Sequence, residues 1–160
     1  MAIGLTQSIT GGNPAVNSYT FTLGSNAAAG AFLALQTSVF VSGGPANATP
    51  TGGGTWSTTT APGVQAEGNA YISYCPSATG GATAVVIDYG TSFYIEGCLS
   101  EWSGMHATPL DQQTQNDFLY TDTTPTVGPT GTTAQADELV LAVLGCSYNS
   151  TNVGIDACTT

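Results

Sequence analysis

Residues 92–111, SFYIEGCLSEWSGMHATPLD, decide how this chain is read. Phe93, Ile95 and Leu99 fall on one side of an alternating pattern, while Tyr94, Glu96, Cys98, Ser100 and Trp102 fall on the other. Period two with aromatic enrichment is the signature of a half-buried strand. Ser103-Gly104 ends the run, because glycine admits turn conformations closed to other residues. The chain then leaves the sheet as an irregular loop braced by Pro109. The spacing therefore predicts a central strand followed by a long loop.

Upstream, residues 3–9 read as a first strand closed by the turn Gly11-Gly12-Asn13-Pro14. Tyr19, Phe21 and Leu23 alternate with Thr20 and Thr22, which gives a second strand with one buried face. The alanines of 25–35 suit a short helix, but Thr37, Val39, Phe40 and Val41 are β formers, so 31–41 is assigned as a strand that Gly43-Gly44-Pro45 stops. From 42 to 63 the composition turns to Gly, Pro, Thr and Ser, and Trp56 is the one large anchor of that loop. Residues 69–74 and 83–89 read as strands separated by a turn over 76–81. Gly90-Thr91-Ser92 supplies a second tight connection, so the three runs predict an antiparallel meander.

Downstream, 103–137 is a long loop interrupted only by Phe118, Leu119 and Tyr120. Residues 138–145, ELVLAVLG, are nearly continuous in apolar side chains and predict a buried strand. No stretch has the 3.6-residue spacing of a long amphipathic helix. The expectation is one all-β domain over 1–160, an antiparallel β-sandwich or jelly-roll-like fold with long Gly/Pro/Thr-rich loops.

The charge inventory excludes much. The 160 residues contain no Lys or Arg against ten Asp plus Glu, a formal net charge of −10. Without cations of its own the chain has no means of displacing phosphate counterions, so nucleic acid is not an expected partner, and neither is an anionic membrane surface. Schiff-base lysines, phosphoryl clamps and arginine fingers are excluded with the same stroke. No apolar run approaches the roughly 18 residues of a spanning helix. The opening MAIGLTQSIT lacks the basic and apolar regions of a signal peptide. Either the numbering begins at a mature end, or the protein is released by lysis, as a virus particle is, which fits the intact Met1; the expected location is a virion or the extracellular space.

Four cysteines, Cys75, Cys98, Cys146 and Cys158, allow three disulfide connectivities and lack zinc-site spacing. Two disulfides, Cys146–Cys158 and Cys75–Cys98, are weighed against four reduced thiols. His106 is the sole imidazole, and no GxSxG elbow accompanies it, so an ordinary surface histidine outweighs a Ser/His/Asp triad. Glu67, Glu96 and Glu101 are the carboxylates available for glycoside hydrolysis. Glu96 and Glu101, five positions apart on one strand, point to opposite faces and do not flank one bond. Asn116, Asp117 and Asp122 suit a loop-stapling Ca2+, although the Gly and terminal Glu of an EF-hand loop are missing. Trp56, Tyr71, Tyr89, Tyr94, Trp102, Tyr120 and Tyr148 could stack on sugar rings but mostly alternate in phase with strands, which favours core or interface positions. Asn47 and Asn149 stand in N-glycosylation sequons that a Thr-rich chain produces readily. No catalytic, cofactor-binding or metal residue is assigned, and no enzymatic activity is expected.

The succession of Trp56, the YISY strand ending in Pro76, the TAVVIDY strand, and then EWSG (101–104) followed by PLD (109–111) resembles a β-sandwich module of tailed-phage structural proteins and bacterial surface proteins. TAQADELVLAVLG (133–145) is similar to the strand after that module's long loop, and MAIGLTQS is similar to the start of small phage virion proteins. The resemblance implies a jelly-roll-like sandwich without catalytic residues. Such modules continue with further strands, so here an open sheet edge is expected, covered by a neighbouring copy. The functional expectation is a structural protein of a virion, as capsid decoration or tail or fibre component, or of an extracellular filament, with copies of itself and other structural proteins as partners. The alternative is a carbohydrate-binding module of a surface adhesin, with glycans as ligands.

Overall fold

Two long strands of 19 and 20 residues, more than three times the ordinary length of about 5–6, organise the fold by pairing with one another. The computed structural model describes residues 2–40, 48–59, 69–116, 124, 126–134 and 137–145. Five strands are formed: β1 (Gly4–Thr22), β2 (Phe32–Phe40), β3 (Ser57–Thr58), β4 (Asn69–Cys75) and β5 (Ala84–Ser103). They lie in the order β1-β5-β2-β4-β3, every neighbouring pair antiparallel. No helix occurs among the described residues, and the protein is all-β.

The two reversals expected at Gly11-Gly12-Asn13-Pro14 and Gly90-Thr91-Ser92 are not hairpin turns. Both lie inside continuous strands, close to one another across the β1–β5 ladder, where Asn13 pairs with Ile95, Val16 with Phe93 and Ser18 with Asp88. The register slips at each step, and extra residues bulge out of both strands at the same place. Gly90, at φ +67°, supplies the left-handed conformation, and the Asp88 carboxylate accepts its N–H at 2.7 Å. Signals that read as two reversals are thus the two sides of a single corner. The meander is corrected accordingly, and β4 pairs with β2 and β3 instead of with residues 83–89.

The corner folds the ribbon back over the sheet. A Cβ on Gly11 would lie 2.5 Å from the hydroxyl oxygen of Tyr19, and one on Gly97 would lie 2.7 Å from Cζ of Phe21. In a straight strand Gly11 and Tyr19 would stand roughly 26 Å apart, far beyond the reach of a tyrosine ring. The far half of the ribbon, 18–22 paired with 84–88 and bridged on its other side by Thr51 to Val86, is therefore a second layer. The same two strands build both layers of a sandwich-like fold.

Between the layers lies the main core, with Phe21, Leu33, Leu35, Val39, Val85, Ile87, Phe93, Ile95 and Leu99 all buried. Trp56 joins it, its Nε1–H donating to the Gly52 carbonyl at 2.6 Å, so this residue does anchor its loop. Segments 23–31 and 76–83 close one end through backbone bonds, including Leu23 N to Thr83 O at 2.8 Å and Ala78 N to Ala31 O at 2.8 Å.

The opposite face of the sheet carries a smaller cluster of Phe32, Ala34 and Trp102, with Ile3, Tyr74, Met105, Leu139 and Leu141 against it. Residues 138–145 cover this face without joining a ladder, which corrects the expected buried strand. Leu139 and Leu141 turn inward while Val140 is 79 % exposed, so the segment is extended and half-buried. The Gln36 side chain donates to the Ala142 carbonyl at 2.6 Å, and a Cβ on Gly145 would lie 2.8 Å from the Asn69 backbone. This cover explains why β5 alternates only as far as Glu96 and is buried on both faces from Gly97 to Trp102.

Candidate functional site

β5 is an interior strand, so the side chains read from its pattern are mostly inside the molecule. Trp102 is fully buried, its Nε1–H bonded to the Ser100 hydroxyl at 2.8 Å. Of the other aromatic residues considered for sugar stacking, Trp56 and Tyr71 are buried and Tyr89 is half-buried. Tyr94 is 43 % exposed, its ring 5.9 Å from that of Phe40 at an interplanar angle of 56°, which is a tilted pair and no flat platform. Tyr120 and Tyr148 lie outside the described residues.

Glu96 and Glu101 point to opposite faces. Glu96 is exposed and Glu101 is 1 % exposed. Glu101 has no cationic partner, and neutral donors satisfy it instead. One carboxylate oxygen accepts the Ala28 N–H at 2.9 Å, and the other accepts the side-chain amide of Gln7, the residue opposite it on β1. Gln7 is bonded in turn to Ser25, accepting its N–H at 3.1 Å and donating to its carbonyl at 3.2 Å. The carboxylate thereby ties β5, β1 and the 23–31 segment together. The sequence offered Glu101 as a carboxylate available for glycoside hydrolysis and gave no sign of this network, because Gln7 and Ala28 are far away along the chain. Glu67 lies outside the described residues.

His106 is exposed, and its Nδ1 is engaged locally, 2.9 Å from the Thr108 hydroxyl and accepting the Thr108 N–H at 3.2 Å. Among the described residues it makes no bond to a carboxylate. Asn116 donates to the Thr126 carbonyl at 3.0 Å and Asp111 accepts the Ala134 N–H, which draws the two limbs of the 103–137 excursion side by side. Asp117, Asp122, Asn47 and Asn149 lie outside the described residues. Among those described, no group of three or more His, Cys, Asp or Glu is placed to hold a metal ion.

The Cys75–Cys98 pair is corrected. Cys75 stands opposite Leu33 and Cys98 opposite Gln36, so they flank β2 from different sides and project from opposite faces of the sheet. Both are buried and not joined to each other, and no disulfide spans such a separation. Burial raises the Cys75 thiol above its ordinary pKa, which keeps it protonated and unreactive. Cys146 and Cys158 lie outside the described residues.

What remains distinctive on the surface is an edge. β1 is terminal in the sheet, and among the described residues nothing pairs with its outer side. Thr6, Ser8, Thr10, Gly12 and Asn13 are exposed, as are Leu5 at 43 % and Ile9 at 38 %. None of its 19 residues is charged, and the first Asp or Glu of the chain is Glu67. The other edge, β3, is two residues long. Natural edges are protected by shortness, charge, cover, proline or bulges, and β1 has the last two only outside 7–13, at Pro14 and at its register shifts. β3 has the first protection, whereas β1 lacks the first two. In comparison with known proteins, no family model, no curated protein and no solved structure matches this chain.

Proposed function

We propose that this protein is a non-enzymatic structural subunit of a virion, as capsid decoration or tail or fibre component, or of an extracellular filament, and that it acts through contacts with copies of itself and with other structural proteins. The observation that carries the proposal is the 19-residue uncharged edge strand β1, with no partner on its outer side among the described residues. An edge of that length presents a row of N–H and C=O groups that another chain can satisfy. The edge itself carries no charged residue, so a neighbouring copy meets no like charge along it. The virion setting rests on the expectation drawn from the sequence motifs alone.

Negative-stain microscopy and sedimentation of the purified protein test the proposal. Regular particles, fibres or a defined oligomer are expected, together with silence on a glycan array. A monodisperse monomer that binds a glycan would replace it with the adhesin reading.

A further inference from the structure

We infer that the outer edge of β1 is the self-association surface, and that it pairs antiparallel with β1 of a second copy across a two-fold axis, along Gln7–Asn13. The inference rests on the assembly reading above and names the strand that would carry it. Three observations select this edge and this partner.

The first is continuity. Between the register shifts at Leu5/Gln7 and Asn13/Val16, β1 keeps unbroken one-to-one pairing with β5 over seven residues. The other regular run, 18–22, is shorter, at five residues, and lies beyond the corner. Beyond Asn13 the strand turns through the corner and onto the second layer, so a straight partner strand ends there.

The second is charge. Two copies of a body of net charge −10 repel, and the least costly approach is through a sheet edge without carboxylates; both edges qualify, but β3 is only two residues long, which leaves β1. β1 has none, and Glu96, opposite Gly12, is the nearest exposed carboxylate in the ladder. In a β5-β1-β1-β5 arrangement the two copies of β5 are three strand spacings apart, roughly 14 Å, which exceeds the Debye length of about 8 Å at physiological salt. A partner with a basic face would have no carboxylate on this edge to meet, whereas a second copy is complementary to it by symmetry.

The third is access. Ser8, Thr10 and Gly12 on one face and Ile9 on the other are exposed. They are small or slender enough to let a backbone approach to the strand spacing of about 4.8 Å. Two antiparallel copies would extend the sheet and remove one exposed edge from each.

The test compares the association constant of the wild-type chain by sedimentation equilibrium with those of Thr10→Glu, Ile9→Glu and Val140→Glu. The first two place like charges across the proposed ladder, and the third adds the same charge at a surface position away from it. Thr10 and Val140 are well exposed, so those two variants should melt close to wild type, whereas Ile9 is 38 % exposed and Ile9→Glu should melt a few degrees lower while still folding. Thr10→Glu and Ile9→Glu should weaken association by about tenfold or more, whereas Val140→Glu should leave it unchanged. Amide exchange of the wild type should slow at alternate positions of 7–13 as concentration rises. Association of Thr10→Glu and Ile9→Glu at wild-type strength would overturn the assignment of this edge while leaving the assembly reading standing. A wild-type chain that stays monomeric at every concentration would overturn both.

Discussion

The two faces of the central sheet are closed by different means. On one, the far half of the β1–β5 ribbon folds back as a hydrogen-bonded layer, and Phe21, Val85 and Ile87 are sealed to within 1 % exposure. On the other, residues 138–145 lie across Phe32, Ala34 and Trp102 as a single extended segment outside any ladder, with only alternate side chains turned inward. A layer that shares its backbone bonds with the sheet moves with it, whereas a covering segment can lift locally at smaller cost. The first face should therefore behave as part of the global fold and the second as a separable cover.

The strongest challenge to that contrast is truncation on each side. Phe21→Ala removes the side chain that fills the space above Gly97 and should cost about 3–5 kcal/mol in a denaturant melt. Leu141→Ala acts on a half-buried position of the cover and should cost about 1 kcal/mol. Equal losses at the two positions would erase the distinction. Gly97→Ala sharpens it from the opposite direction. The added methyl would meet Phe21 Cζ at 2.7 Å and the Gln36 carbonyl at 2.8 Å, and overpacking of this kind costs about 1–3 kcal/mol.

Glu101 tests how the end of the sandwich is joined. Both of its oxygens accept, from Ala28 N–H and from the Gln7 amide, and a glutamine offers one carbonyl oxygen for two donors. Glu101→Gln should therefore lose about 1–2 kcal/mol despite its near-identical shape, measured by chemical denaturation at neutral pH. Stability equal to wild type would show that the second donor is not required.

The first face also holds the groups that make the protein sensitive to alkali. Burial raises the pKa of Tyr71 and Tyr89 above 10.0 and of Cys75 above 9.0, and the neighbouring Tyr71 raises Tyr89 further. The folded state holds these protons when the unfolded chain has released them. Their contribution is thus fully present below about pH 9 and is lost as pH rises through the raised values. A thermal melt series from pH 8 to 11 should show stability falling with pH.

The smallest expected effect concerns Tyr89 itself. Its buried hydroxyl lies near Thr37 yet meets no partner in hydrogen-bonding geometry among the described residues. Tyr89→Phe should leave neutral-pH stability unchanged or raise it by up to about 1 kcal/mol, and should flatten the alkaline slope. A destabilised variant would mean that the hydroxyl has a partner in solution.

The alternation of Phe93, Ile95 and Leu99 against Ser100 and Trp102 was legible because a strand's side chains obey period two whatever surrounds it. The first set lies in the core between the layers and Trp102 lies in the smaller cluster on the other face. β4 alternates in burial as well, whereas β2 is buried on both faces over most of its length and was legible from its β-forming residues. The corner was not, because a glycine that permits a reversal permits a bulge equally well. Only the partner strand, which runs past both signals, decides between them. ELVLAVLG misled in a similar way, since apolar content reports that a segment seeks cover and does not report whether it joins a ladder. At Glu101 the residue was visible, but its role depends on Gln7 and Ala28, which the fold brings to it from distant points in the chain.

By itself, the sequence determined what is local or additive: an all-β chain, the faces of its strands, and a body of −10 charge with no cation to offset it. The tertiary structure alone decided which strands are continuous, that one ribbon builds both layers, that Cys75 and Cys98 stand on opposite faces, and that the long uncharged edge is β1. The reason is that pairing is a relation between distant segments. A strand's own residues fix its period and its preferred face, but not the neighbour that satisfies its backbone.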